Sequence, residues 1–232
     1  MPWLTKLADV ARRTGYPVTE VAGWKARGHG PQPAVEGVVC HHTAGPVAGG
    51  DYPSLGVVKT GRTGLAGPLS HFGLGRSGRI YVIAAGRCWH NAPSTSAQHD
   101  NSSSIGIEAE NNGRQPWPSA QLDAYRKLCA EICREFGLPA SRVKAHREVN
   151  RGKPDPHSVD MYDFRVQVAQ LIEGDIVDLD AFWHDARIKL NKGEKGETSI
   201  SPAAYLQRLE TEQDAIKRQL DEVLVKLDAL TR

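Results

Sequence analysis

The sequence predicts an α/β domain, with a mixed central sheet flanked by helices and a C-terminal helical, coiled-coil appendage. Three observations predict it. Short β-branched runs at 35–40, 79–84 and 104–110 alternate with amphipathic helical patterns at 119–136 and 160–172, and strands interleaved with helices indicate a mixed sheet covered by helices. Near the C-terminus, Leu206, Leu209, Gln213, Ile216, Leu220, Val223, Leu227 and Leu230 alternate spacings of three and four, a heptad seam with one polar core position. The 232 residues suffice for one good-sized domain plus an appendage.

Leu4, Leu7, Val10 and Ala11 recur at helical spacing and Gly15 can stop that helix. Val35 to Cys40 reads as a buried strand feeding into His41. Residues 44–79 hold many glycines with Pro46, Pro53 and Pro68, and read as one long surface loop of the kind that binds ligands. Arg79–Ala84 is a strand after the turn Arg76-Ser77-Gly78. Ser104–Glu110 is another, with Ile105 and Ile107 on one face and Gly106, Glu108 and Glu110 on the other. Asn111-Asn112-Gly113 turns the chain.

Ser119 can cap a helix to about Phe136, whose stripe is Leu122, Tyr125, Cys129, Ile132 and Phe136; Gly137 and Pro139 end it. Arg142–His146 is a short strand. Met161, Phe164, Val168 and Leu171 mark a helix that closes a first domain of residues 1–174, with its core at about 30–172. Residues 175–232 form the helical region: a helix over 176–190, a polar linker at about 191–197, and a helix opened by Ser201-Pro202. The seam at 202–231 predicts a homo-oligomeric coiled coil; packing on its own domain is the alternative.

Composition narrows the function. The net charge of +2 gives no field that points to nucleic acid or an anionic membrane. No apolar run is long enough to span a bilayer, so no direct membrane insertion is expected. The first ten residues carry Asp9 and lack a long apolar core, so no secretory signal is expected. Cys129 and Cys133 share a helical face and read as core residues; Cys40 is at most a remote substitute ligand, and with Cys88 the four do not form a small secreted disulfide framework.

Chemistry concentrates in two segments about a hundred residues apart. Val38-Val39-Cys40-His41-His42-Thr43-Ala44-Gly45 is one. Ala145-His146-Arg147-Glu148, followed by Gly152-Lys153-Pro154-Asp155-Pro156, is the other. Two imidazoles and a carboxylate leave one position of a tetrahedral zinc ion open for water, and an open zinc site is more often hydrolytic than structural. His41 and His42 point to opposite faces of a strand, so only one can serve.

These segments, with Ser70-His71-Phe72-Gly73-Leu74-Gly75-Arg76-Ser77-Gly78 and Ser104-Ile105-Gly106-Ile107-Glu108, resemble the zinc-dependent N-acetylmuramoyl-L-alanine amidases, which share a fold with the peptidoglycan recognition proteins. The resemblance covers roughly residues 30 to 172. Trp24-Lys25-Ala26-Arg27-Gly28-His29-Gly30 also resembles lysins of phages that infect actinobacteria. The resemblance implies a peptidoglycan substrate, cut between the lactyl group of N-acetylmuramic acid and L-alanine by a zinc-activated water. It further implies a protein made in the host cytoplasm that reaches the wall through a membrane pore made by another protein.

The resemblance also implies roles. His41, His146 and Asp155 would hold Zn2+. Glu108 would move the proton, and Lys153 lies near the metal, where it could stabilise the oxyanion. Alternatives remain: Glu110 shares a face with Glu108, His157 could be a ligand if its loop folds differently, and Lys153 could be a solvated loop residue. Gly106 would leave room for substrate. His71 and His90 are candidate substrate contacts or polar loop residues, and Trp89 lines a substrate groove or belongs to the core. His29, His99 and His184 read as surface residues. A non-catalytic peptidoglycan-binding module of the same fold is the competing function; an assembly protein led by its helical tail is a third.

Overall fold

In the computed structural model described here, the described residues are 3–173. The expected helix over 176–190, the linker at 191–197, His184 and the heptad helix at 202–231 lie outside them. In chain order the elements are α1 (Leu7–Arg12), β1 (Val18–Glu20), β2 (Gly37–His42), α2 (Leu55–Thr60), β3 (Gly61–Arg62), β4 (Leu65–Ala66), β5 (Phe72–Leu74), β6 (Ile80–Val82), β7 (Ser104–Ala109), α3 (Ser119–Phe136), β8 (Val143–Ala145), α4 (His146–Val149) and α5 (Met161–Glu173).

Six strands form one sheet in the order β1-β6-β5-β7-β2-β8, and β3 pairs with β4 in a separate hairpin. Within the large sheet only the β5–β6 pair is antiparallel, so the sheet is mixed, as the alternation of elements predicts. β2 lies between β7 and β8. Its first five residues are buried, which explains the unbroken run Val38-Val39-Cys40: a parallel strand covered on both faces has no polar alternation to show.

One face of the sheet is apolar. Val38, Cys40, Ile105 and Ile107 join Leu7, Val10, Tyr125, Leu128, Ile132, Phe164 and Val168 in the main core, which places α1, α3 and α5 on that side. Each fully buried Leu or Ile there contributes about 1.5–3 kcal/mol. The four cysteines are buried and unbridged. Cys129 and Cys133 pack in this core, and the Cys40 and Cys129 sulfurs lie 3.8 Å apart. Cys40 therefore belongs to the core face and not to the ligand set.

Several boundaries differ from expectation. β2 runs through His42, so both histidines stand on the strand. His146 opens the short helix α4 rather than closing a strand. Ser119 is the first residue of α3 and caps nothing; extended Pro118 takes the cap position, its φ already preset for a helix start. Gly137 ends α3 in the left-handed conformation, φ 65°, with its N–H on the Cys133 carbonyl, the expected stop. The stretch 44–79 contains α2, the β3–β4 hairpin and β5. A second small core of Tyr52, Val58, Leu69 and Ile83 holds much of it down.

Candidate metal centre

The site lies at the carboxyl ends of the parallel strands, the usual place for a ligand on an open α/β sheet. β2 ends in His41 and His42. Glu108 on β7 is the direct register partner of His41, so the two side chains share a face. β8 pairs Ala145 with Cys40, which brings His146, the next residue, to the same end.

The second motif is held by its own neighbours. Glu148 Oε2 accepts the Ala145 N–H at 2.7 Å. The Arg147 N–H donates to the Asp155 carbonyl at 3.0 Å, and the Arg147 guanidinium donates to the carbonyls of Pro156 and Val159. Arg147 thus ties the segment carrying Asp155 to the residue beside His146.

His41 Nδ1 lies 2.9 Å from His146 Nδ1. Asp155 Oδ2 lies 3.3 Å from the first and 3.1 Å from the second. These donor atoms all fall within 4.8 Å of one another, and all three residues are buried. Burial lowers the His41 pKa to about 4, the largest effect there, and a neutral imidazole is the ligating form. Burial pushes Asp155 up, but the hydrogen bonds and charges of His146 and His41 outweigh it and hold the carboxyl far below its usual range. Three electron-pair donors converge in a buried space, and the two-nitrogen, one-oxygen set suits zinc with a position left open.

Glu108 lines the adjacent groove with Lys153 and Trp89. Its Oε2 is buried without a hydrogen-bond partner. Burial, then the charges of Asp155 and Glu110, raise its pKa well above that of an ordinary carboxyl, and Lys153 opposes them. Glu110 is engaged elsewhere: its carboxylate accepts from the Thr43 hydroxyl at 2.9 Å and from the Ser54 N–H and hydroxyl at 2.9 and 3.0 Å. It pins the loop after β2 to the end of β7.

The remaining candidates separate. His42 faces away from the cluster, and its Nδ1 accepts the His157 N–H at 3.1 Å. His157 reaches Asn111 through Nε2 at 2.9 Å and is not among the converging ligands. Trp89 is 40 % exposed and stacks on His29 with ring centroids 3.7 Å apart, so it stands at the groove and His29 supports it from below. His71, expected at the substrate, is fully buried; its Nδ1 accepts the Gly106 N–H at 3.2 Å. His99, expected at the surface, is buried, with Nε2 on the Arg142 carbonyl at 2.9 Å. His90 lines the groove but lies 3.2 Å from His41 Nε2. The space beside Gly106 is filled by that His90 ring rather than left for substrate: a Cβ on Gly106 would stand 2.7 Å from His90 Cγ.

Sequence reasoning missed Arg147 as a clamp and Glu110 as a loop anchor. The first signal was present in the His-Arg-Glu run; the second required the partner Ser54, fifty-six residues away.

A family model described as N-acetylmuramoyl-L-alanine amidase matches residues 31–158, more than half of the chain. Among solved structures, the chain is similar to the N-acetylmuramoyl-L-alanine amidase LysC from Clostridium intestinale URNW, with 18% identity, 65% of this chain and 96% of that one covered, and a TM-score of 0.52. It is similar to the catalytic domain of XlyA, at 19% identity, 65% and 98% coverage and a TM-score of 0.51. It is similar also to Drosophila peptidoglycan recognition protein SD, at 19% identity, 65% and 94% coverage and a TM-score of 0.50. Identities this low establish the fold. A comparison with curated protein sequences found no match. The match over residues 31–158 and the shared fold together place this chain in the N-acetylmuramoyl-L-alanine amidase family, which works on peptidoglycan.

Proposed function

We propose that the protein hydrolyses the amide between the lactyl group of N-acetylmuramic acid and L-alanine in peptidoglycan. The observation that supports this most is the convergence of His41, His146 and Asp155 within 4.8 Å, beside a groove lined by His146, Asp155, Glu108 and Lys153. These three ligands would hold zinc, which when bound supplies Lewis acidity that polarises the amide carbonyl and activates water.

The chain's own groups do the rest. Glu108 takes the proton of the attacking water and hands it to the leaving amine; its raised pKa moves it towards the operating pH, where such an exchange is efficient. Lys153 donates to the carbonyl oxygen as negative charge develops there. Trp89, braced by His29, offers a flat apolar wall to the sugar or peptide. In this proposal the protein degrades the host wall at the end of a phage infection, after passage through a pore in the host membrane. The heptad seam from Leu206 to Leu230 is read as an oligomerising helix.

Three measurements decide the activity. Purified protein is assayed for bound zinc and for loss of turbidity of isolated walls, with His146→Ala and Asp155→Ala as controls; the fragments are then weighed by mass spectrometry. Expected are a free lactyl acid, a new L-alanine amine and no lysis by either variant. Equal lysis by all three proteins, or cleavage at another bond, overturns the proposal. Wall binding without cleavage by the wild type indicates the non-catalytic module instead. Sedimentation of the full chain at micromolar concentration checks the tail, and a monomer rules out a strong coiled coil.

A further inference from the structure

The loop between β6 and β7 carries an imidazole that the proposed chemistry leaves unused. We propose that His90 is a positioning residue that fixes the tautomer and ring orientation of His41, so that His41 presents Nδ1 to a divalent metal cation. The inference rests on the reading of His41, His146 and Asp155 as metal ligands.

A chain of hydrogen bonds assigns each hydrogen. The Ser104 hydroxyl donates to the Asp100 carbonyl at 2.7 Å, so its oxygen is left only to accept. The Ser104 carbonyl can also only accept. His90 Nε2 lies 3.3 Å from that carbonyl and 3.5 Å from that hydroxyl oxygen. The hydrogen of a neutral His90 therefore sits on Nε2, and its Nδ1 is an acceptor. That Nδ1 lies 3.2 Å from His41 Nε2, so His41 donates from Nε2 and keeps the lone pair on Nδ1. His41 Nδ1 is the nitrogen that faces His146 and Asp155.

The surroundings hold His90 in place. Asn101 Oδ1 accepts the N–H groups of His90 and Asn91 at 2.8 and 2.7 Å. Asn91 Oδ1 accepts from Asn150 Nδ2 at 3.1 Å, and the Asn150 carbonyl accepts the Lys153 N–H at 3.2 Å. One loop thus braces His41 from behind and joins the turn that carries Lys153. Gly106 leaves the His90 ring its space, and the His71 ring meets it edge-on at 5.9 Å. Such partners fix a ligand's direction and raise its basicity, and losing one typically weakens metal binding about 10–100-fold.

Zinc affinity is measured by chelator competition on the full chain for wild type, His90→Phe, His90→Asn and His146→Ala, with folding checked by circular dichroism. His90→Phe is expected to bind zinc about 10–100-fold more weakly. His90→Asn, which keeps an acceptor oxygen near the Nδ1 position, is expected to lose less. Long-range proton–nitrogen NMR of the wild type is expected to find the hydrogen on Nε2 in both His90 and His41. Unchanged affinity in a folded His90→Phe, or a hydrogen on His90 Nδ1, overturns the inference. Should His90→Phe not fold, the NMR assignment decides. A wild type that binds no zinc removes the metal reading itself and this inference with it; zinc binding lost in His146→Ala but kept in His90→Phe removes the inference alone.

Discussion

The two faces of β2 and β7 follow opposite rules. One face carries Val38, Cys40, Ile105 and Ile107 into the helical core. The other carries His41, Gly106 and Glu108 into a buried polar cluster. The difference is a single residue of register: along a strand, neighbours alternate sides, so six residues can anchor a domain with every second side chain and do chemistry with the rest. The apolar face tolerates change of shape at an energetic cost. The polar face depends on partners for its buried donors and acceptors, and each one left without a partner, as Glu108 Oε2 is, carries a desolvation cost.

Breaking the polar face at its ligands gives the largest expected effect. Removing the metal with a chelator, or changing Asp155 to Ala, is expected to abolish wall hydrolysis, and added zinc restores only the chelated wild type; turbidity assays check this. Glu108→Gln keeps the shape but cannot exchange a proton, so a loss of about 10²–10⁴-fold in rate is expected, with thermal stability maintained or raised because a carboxyl with a buried, unpartnered oxygen is gone. Rate and melting temperature are measured on the same sample. Equal loss of both would move Glu108 from chemistry to structure.

Breaking the apolar face behaves the other way. Leu128 is fully buried on α3, and Leu128→Ala is expected to cost about 2–5 kcal/mol of stability while the rate per folded molecule holds. Denaturant unfolding checks the first and a rate corrected for folded fraction the second.

The smallest effect is a slope. Burial pushes the His71 pKa down to about 3, so the folded state keeps this imidazole neutral while the unfolded chain protonates it near pH 6.5. Its contribution is complete above about pH 6.5 and is lost as pH falls from there towards 3, because the unfolded state binds the extra proton. His71→Asn, which keeps an acceptor for the Gly106 N–H, is expected to remove up to about 1.4 kcal/mol per pH unit from that slope. Unfolding curves between pH 4 and pH 7 measure it.

The same contrast explains what the sequence disclosed. β7 and α3 were legible because burial on a regular element leaves a periodic trace over six residues or more, and β2 because its apolar run is short and unbroken. β1 and β5 were not: β1 is three residues with one apolar side chain, Val18, and β5 sits in a glycine-rich stretch that reads as loop. Among the site residues, His41, His146 and Asp155 stand in compact local motifs. His90 stands in irregular chain, forty-nine residues from His41, and its meaning exists only once the fold brings the rings together. His99 failed for the same reason, since its partner Arg142 is forty-three residues off.

The bare backbone at position 106 has a consequence for how this scaffold can diversify. A methyl group there would stand 2.7 Å from His90 Cγ and 3.1 Å from His90 Cβ, so the imidazole would have to leave its place. Descendants of this sequence can therefore rewrite the groove's rim freely, yet should find that one glycine as hard to replace as a ligand. An alignment of active relatives in which larger side chains are common at that point, while the imidazole opposite is retained, would contradict that constraint.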